Sequence, residues 1–320
     1  MSSSAKVKSL RSRQIVADGA LLLASLIWGS TFVVTKQAVG GFPVFAFLSM
    51  RFALSTIVLY LAFGRRLQWL KRRTVRAGVV IGLFLFSGLA LQTMALRYTS
   101  AAKVAFIVSM SVAIVPLLSA VVLRDPPSRR ATVCVLLATL GLALLTLPPG
   151  GGRGPNSRWG VWQAGDLIAF GCAVCFALQI VAVNRLAPRH DTRVLTLLQV
   201  AVAAVLSALA ALWFEGWPGT IPHAVGVAAA FTGVVAGAVG LTVQSEVQPW
   251  TTATRTALIL TTEPVFAGIF EYLVGGERLA PTALAGCGLI VLGTVLAVVR
   301  PAAPAKEALR SGLERKSQHD

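Results

Sequence analysis

Glu263 precedes Pro264 near the middle of an apolar run over 251–273. A charge at a bilayer centre costs roughly 2.5 to 3.5 kcal/mol on insertion scales, so an acid there is a functional candidate by default. Its chemistry would be to hold a substrate amine or carry a proton. The other reading is a structural acid that pairs with a neighbouring helix or serves backbone freed by the proline, which lacks a donor. A second group lies on one helical stripe, Ser25, Trp28, Gly29, Phe32 and Lys36. Trp28 and Phe32 could wall a cavity for an apolar group, with the Lys36 ammonium facing a carboxylate. Alternatively, the aromatics pack and Lys36 snorkels outward from the last turn. Gln92 and Gln244 are amides at matching places in two other apolar runs, with Gln179 in a third. An amide can donate to and accept from a polar ligand without the cost of a charge, or it can link helices. Three cations complete the set. Arg51 suggests structural pairing, and Lys103 and Arg255 are either gate charges or interfacial anchors.

The elements that must position these groups are set by composition. Of the 320 residues 56% are hydrophobic and 13% charged, with a formal charge of +17. Soluble domains average roughly 45 to 50% apolar and about 25% charged, so the sequence is that of a membrane protein. Apolar runs fall at about 19–40, 43–63, 77–97, 101–123 and 129–147, then 164–186, 192–214, 223–247, 251–273 and 280–299. Each is near the roughly 17 to 25 residues a spanning helix needs, and helices satisfy their own backbone in lipid. The sequence therefore predicts an all-α integral membrane protein of ten transmembrane helices.

Lys and Arg gather on cytoplasmic loops. With the N-terminus inside, most of the 29 basic residues fall on the cytoplasmic side, including the cluster Arg65, Arg66, Lys71, Arg72, Arg73 and Arg76. The external side receives only Arg97, Lys103, Arg153, Arg158 and Arg278. Both termini are thus expected in the cytoplasm. Topology uses nearly all of the charge, so no nucleic-acid partner is implied. Met1 to Val16 runs into a span too long for a signal-peptide core, so it reads as leading into a retained first helix. The four cysteines sit in apolar runs. The Cys172-x-x-Cys175 pair has no second pair or nearby His to make a zinc site, so neither a metal nor a cofactor is expected.

The chain repeats internally. At one constant offset Gly88 falls on Gly240, Gln92 on Gln244, Lys103 on Arg255, Asp125 on Glu277 and Gly141 on Gly293. At a slightly smaller offset Asp18 falls on Asp166, Trp28 on Phe176 and Arg51 on Gln199. The organisation expected is a cytoplasmic tail over 1–17, a five-helix repeat over 18–147, an external linker over 148–163, a second repeat over 164–299 and a cytoplasmic tail over 300–320. Five is odd, so the second repeat enters the membrane inverted. The loops agree, since 64–76 carries six basic residues and its counterpart 215–222 none. Inverted repeats build alternating-access carriers with the site near the midplane. Gly78-x-x-x-Gly82 and Gly233-x-x-x-Gly237 predict close helix approach. Dimerisation through such faces stays open, although a ten-helix fold does not need it.

Ile27 to Phe32 with Lys36, Met50-Arg51-Phe52, Ala95 to Ala101, Gly165-Asp166, Thr262 to Phe266 and Gly276 to Leu279 together resemble the EamA family of the drug/metabolite transporter superfamily, over about residues 18–299. The resemblance implies a basket-shaped carrier of the bacterial inner or plasma membrane. It also implies a central cavity lined mainly by the first, third and fourth helices of each half, with the second helices, and so Arg51, peripheral. Family members move amino acids, other small metabolites, amines or drugs, often outward. Two departures stand out. Asp125-Pro126-Pro127 replaces the common Gly-Glu-Arg, and Ser111 stands where the second half has Glu263. The small four-helix exporters of the superfamily carry a first-helix Glu, whereas here the first span has no acid beyond Asp18, which argues against their proton exchange.

The expected function is secondary transport of a small-molecule substrate across the lipid bilayer, by export of amino acids or related metabolites. Export of amines or drugs by proton exchange is the alternative. No G-x-x-x-x-G-K-[ST] loop is present to use ATP. An intramembrane enzyme would need a catalytic constellation, and neither H-E-x-x-H nor G-x-S-x-G occurs.

Overall fold

The computed structural model describes residues 3–98, 104, 107–124, 126–146, 164–275 and 281–299. Among these the chain is helical, without strands. The first three helices are α1 (Ser3–Val39), α2 (Val44–Phe63) and α3 (Arg72–Tyr98), with a 3-10 turn at Gly64–Trp69. Next come α4 (Ser111–Leu118), continued by a π-helical turn at Ser119–Leu123, and α5 (Arg129–Thr146). The second half begins with α6 (Ala164–Leu186) and α7 (Thr192–Ala210). A long rod follows: α8 (His223–Phe231), a π-helical stretch at Thr232–Gly240, and α9 (Leu241–Val247). The last three helices are α10 (Ala253–Leu260), α11 (Glu263–Gly275) and α12 (Pro281–Val299).

Among the described residues, six segments are long and apolar enough to cross a membrane: 12–39, 44–68, 72–98, 164–189, 192–215 and 223–250. Shorter apolar helices lie at 107–123 and 284–299. The first helix differs from its expected start near residue 19. It begins at Ser3 because Ala, Lys, Arg, Leu and Gln of the basic tail are good helix formers.

The run over 251–273 is broken into α10 and α11 at Thr261–Thr262. Pro264 falls in the first turn of α11, where its missing donor is harmless. Carbonyls at the end of α10 are met by hydroxyls. Thr262 Oγ1 donates to Ile259 O at 2.7 Å and Thr294 Oγ1 donates to Leu258 O at 3.1 Å. Backbone polar groups at this depth must find such partners, since lipid offers none.

Packing joins the halves to each other more than within themselves. Helix α2 lies on α7, α5 on α12, α3 on α6, and α1 on the rod of α8 to α9 and on α10 and α11. These pairs exchange when the halves are exchanged. Close approach uses the glycines singled out in the sequence. A Cβ on Gly78 would stand 2.5 Å from Leu198 Cβ of α7, and one on Gly233 would stand 2.5 Å from the Arg51 carbonyl oxygen of α2. The N-terminus of α2 follows Pro43, which offers no capping side chain. Its free N–H groups are instead served by Glu215 of the other half, whose carboxylate accepts from Val44, Phe45 and Ala46 at 2.9, 2.8 and 3.3 Å.

A candidate substrate cavity between the halves

The interlocked helices enclose a cavity of about 120 Å³. A water needs roughly 10 to 15 Å³ of such space, so the cavity holds several waters or part of a small metabolite. Trp28, Thr31, Phe32 and Thr35 come from α1, and Leu85, Leu89, Gln92, Thr93 and Leu96 from α3. Ser109 and Ser111 lie at the start of α4. The second half supplies Phe176 and Gln179 from α6, Leu241 and Gln244 from α9, and Thr261, Glu263 and Pro264 from the break between α10 and α11.

The aromatic walls are built reciprocally. Trp28 of the first half lies against Gly240 of the second, where a Cβ would be 2.9 Å from the indole nitrogen. Phe176 of the second half lies against Gly88 of the first, with a Cβ at 2.8 Å from its ring. Any larger residue at either glycine would push an aromatic ring out of place. Trp28 is fixed further, because its Nε1–H donates to Ala236 O at 3.0 Å. That carbonyl lies in the π-helical stretch, where the backbone ladder is shifted and leaves groups free for such bonds.

Arg51 is the only α2 residue lining the cavity. The second helices otherwise stay out of the lining, α7 contributing none of it. Its counterpart Gln199 behaves as a structural residue, donating through Nε2 to Ser245 Oγ at 3.2 Å. Arg51 is instead 7% exposed, with its guanidinium 5.9 Å from the Phe52 ring and its Nε without a partner among the described residues. Glu263 lines the same cavity, yet no ion pair within 4 Å joins it to Arg51. The site therefore holds a guanidinium and a carboxyl group that are not in ion-pair contact. Gln179, with its Nε2 also unpartnered, adds a free donor.

The other sequence candidates divide. Trp28, Phe32, Gln92, Gln179, Gln244 and Glu263 are brought together here. Lys36 is not: it is exposed in the last turn of α1, where a cation favours the helix C-terminus. Thr35 lines the cavity in its place. Lys103 lies outside the described residues. Arg255 is buried away from the cavity, paired with Asp18. Arg51 is visible in the sequence as a cation within an apolar run, but only the packing of α2 shows which way it turns.

A family model matches this chain over residues 16–147 and 163–299, that of the EamA-like transporter family. The chain belongs to this family. As an EamA-like protein it is a multi-pass membrane protein with a general role in transport. A curated protein of Archaeoglobus fulgidus, described as an uncharacterized transporter, is 30% identical over 90% of this chain and 87% of its own length. The Bacillus subtilis protein YyaM, described in the same way, is 26% identical over 87% of this chain and 92% of its own. A solved protein crystal structure shares the fold with a TM-score of 0.73 and 22% identity, covering 88% of this chain and 97% of that one.

Proposed function

We propose that this EamA-like protein is a secondary, ATP-independent exporter of amino acids or closely related zwitterionic metabolites. In this reading it works in a bacterial inner membrane with ten spanning helices, arranged as two inverted five-helix repeats with both termini inside. The observation that carries the reading is that the Arg51 guanidinium and the Glu263 carboxyl group line one small aromatic-walled cavity without an ion-pair contact between them. A guanidinium binds a carboxylate through parallel N–H donors. A carboxylate such as Glu263 accepts from an ammonium. A substrate bearing both groups would bridge the two charges and lay its side chain against Trp28, Phe32 or Phe176. Gln92, Gln179 and Gln244 would supply orienting hydrogen bonds.

Alternating access follows from the same arrangement. The Asp18–Arg255 pair closes one end of the interface between halves, and Trp28 lies ten residues further along α1, about 15 Å at 1.5 Å per residue. Rocking of one half against the other about the cavity would open that end and close the opposite one. The chain acts as a monomer in this scheme, with the small-molecule substrate and the bilayer as its partners.

Counter-flow in proteoliposomes tests the proposal. Protein reconstituted with internal unlabelled amino acid should accumulate the labelled amino acid, with no requirement for ATP. Amines without a carboxylate and neutral sugars should exchange poorly. Exchange confined to amines and driven by a pH gradient would instead establish the alternative, proton-coupled export of amines or drugs. Substrate turnover by purified protein without vesicles would point to an intramembrane enzyme.

A further inference from the structure

A second, larger crevice of about 860 Å³ lies at the end of the bundle where α2 ends and α3 begins. Its walls come from two segments far apart in the chain. Arg65, Arg66, Lys71 and Arg73 belong to the α2–α3 connection and the start of α3, while Arg189, His190 and Asp191 belong to the α6–α7 connection. The walls are tied together twice. Arg66 Nη1 lies 2.9 Å from Asp191 Oδ2, and Thr74 Oγ1 and His190 Nδ1 are 3.1 Å apart. The second Asp191 oxygen accepts from the N–H groups of Arg193 and Val194, at 3.1 and 3.4 Å, and so caps α7. The one carboxylate lining the crevice is therefore fully engaged. Arg65, Lys71, Arg73 and Arg189 face the same space with no ion-pair partner among the described residues.

We infer that this crevice is a binding site for a phosphate-bearing anion, and that the anion is the headgroup of an acidic phospholipid. Orientation in a membrane asks only that basic residues lie on one side. It does not require Arg189 to converge with Arg65, Lys71 and Arg73 around one walled space. Four cations held together without partners repel one another, and an oxyanion among them relieves this through charge-assisted hydrogen bonds. The position selects the lipid source. Ile57, Tyr60 and Leu61, just before the crevice on α2, are 55%, 58% and 80% exposed, as a lipid-facing flank would be. Leu70, 40% exposed, lines the crevice itself. An acyl chain can thus follow α2 while the headgroup phosphate sits among the cations. Basic pockets between spanning helices are a recurrent way to hold acidic headgroups.

The test uses delipidated full-length protein in detergent, titrated separately with dioleoylphosphatidylglycerol, dioleoylphosphatidylcholine and sodium phosphate. Thermal unfolding gives apparent affinity, and native mass spectrometry of the wild type gives retained lipid without any variant. Phosphatidylglycerol should stabilise the protein and be retained, and phosphatidylcholine should do neither. A direct charge-assisted hydrogen bond to the phosphate is worth roughly ten-fold or more in affinity, and a cation outside the site makes none. Lys71→Gln/Arg73→Gln should therefore weaken the phosphatidylglycerol response at least ten-fold. Arg72→Gln/Arg76→Gln removes the same charge from the same helix start outside the crevice and should weaken it less than three-fold. Equal weakening by both pairs would reduce the attraction to diffuse surface charge and overturn the site. Equal retention of both lipids would do the same. Sodium phosphate acting as strongly as phosphatidylglycerol would overturn the lipid assignment in favour of a soluble phosphate ligand.

Discussion

Arg255 and Asp18 form a buried, bidentate ion pair across the two halves, with Arg255 Nε donating to Asp18 Oδ1 at 2.8 Å and Nη2 donating to Oδ2. Their side chains are 7% and 6% exposed. The same guanidinium donates to the carbonyls of Ala297 and Val298 at 2.7 and 3.0 Å. One side chain therefore ties the start of α10 to the first turns of the α1 span and to the end of α12. Removing one member of a buried pair costs about 3 to 5 kcal/mol, because the other charge is left unpaired. Asp18→Asn and Arg255→Gln should each lower thermal stability in detergent by that order, and the double variant should lose clearly less than the sum. A cysteine placed at Ser25, which bonds Thr262 across the same interface at 2.9 Å, should react faster with a water-soluble thiol reagent in the Asp18→Asn background. Unchanged labelling would show that the pair does not hold this end shut.

In the cavity, Arg51→Gln and Glu263→Gln should each reduce counter-flow of a zwitterionic substrate at least ten-fold. Charge-assisted hydrogen bonds contribute about 1.5 to 3 kcal/mol, which is 10-fold or more in affinity. Arg51→Lys should recover part of the loss, since the charge returns without the bidentate fork. Glu263→Gln transporting at the wild-type rate with wild-type pH dependence would remove Glu263 from the site.

Gly233→Ala should destabilise the protein by about 1 to 3 kcal/mol, the usual cost of overpacking. The new methyl meets backbone, the Arg51 carbonyl, which cannot turn aside as a side chain could. Gly226→Ala on α8 meets nothing within 4 Å and should be neutral or stabilising by up to about 1 kcal/mol. Thermal unfolding of the two variants side by side separates the contact from any general effect of alanine.

Glu215→Ala should cost about 1 to 2 kcal/mol through loss of the α2 cap. Glu215→Gln should cost less, because the amide oxygen still accepts. Equal stability of all three proteins would mean that water serves the α2 N-terminus adequately.

At the other end, burial of Asp191 would raise its carboxyl, but the Arg66 hydrogen bond and the N–H groups of Arg193 and Val194 hold it below the usual carboxylate range. A depressed folded value means the contribution is complete above the unfolded value of about 3.9 and is lost as pH falls through the folded value. Stability near neutral pH should therefore be insensitive to this group. Below about pH 4 wild type should lose stability relative to Asp191→Asn. The difference should stay within about 1 kcal/mol, since both partners are well exposed.

The membrane character of this chain, its helical class and its family were legible in the sequence because they rest on local quantities. Apolar length, basic loops and constant-offset matches such as Gly88 with Gly240 need no knowledge of packing. Trp28, Phe32 and Gln92 were also visible, since helical spacing shows which residues share a face. Tertiary structure alone decided which faces meet. Lys36 shares the Trp28 stripe in sequence but is exposed, whereas its neighbour Thr35 lines the cavity. Arg51 and Gln199 occupy equivalent places, yet one faces the cavity and the other bonds Ser245. Glu215 capping α2, and Asp18 meeting Arg255, join groups from opposite halves of the chain. Neither pairing has a local signal, because its partner is brought close only when the two halves interlock.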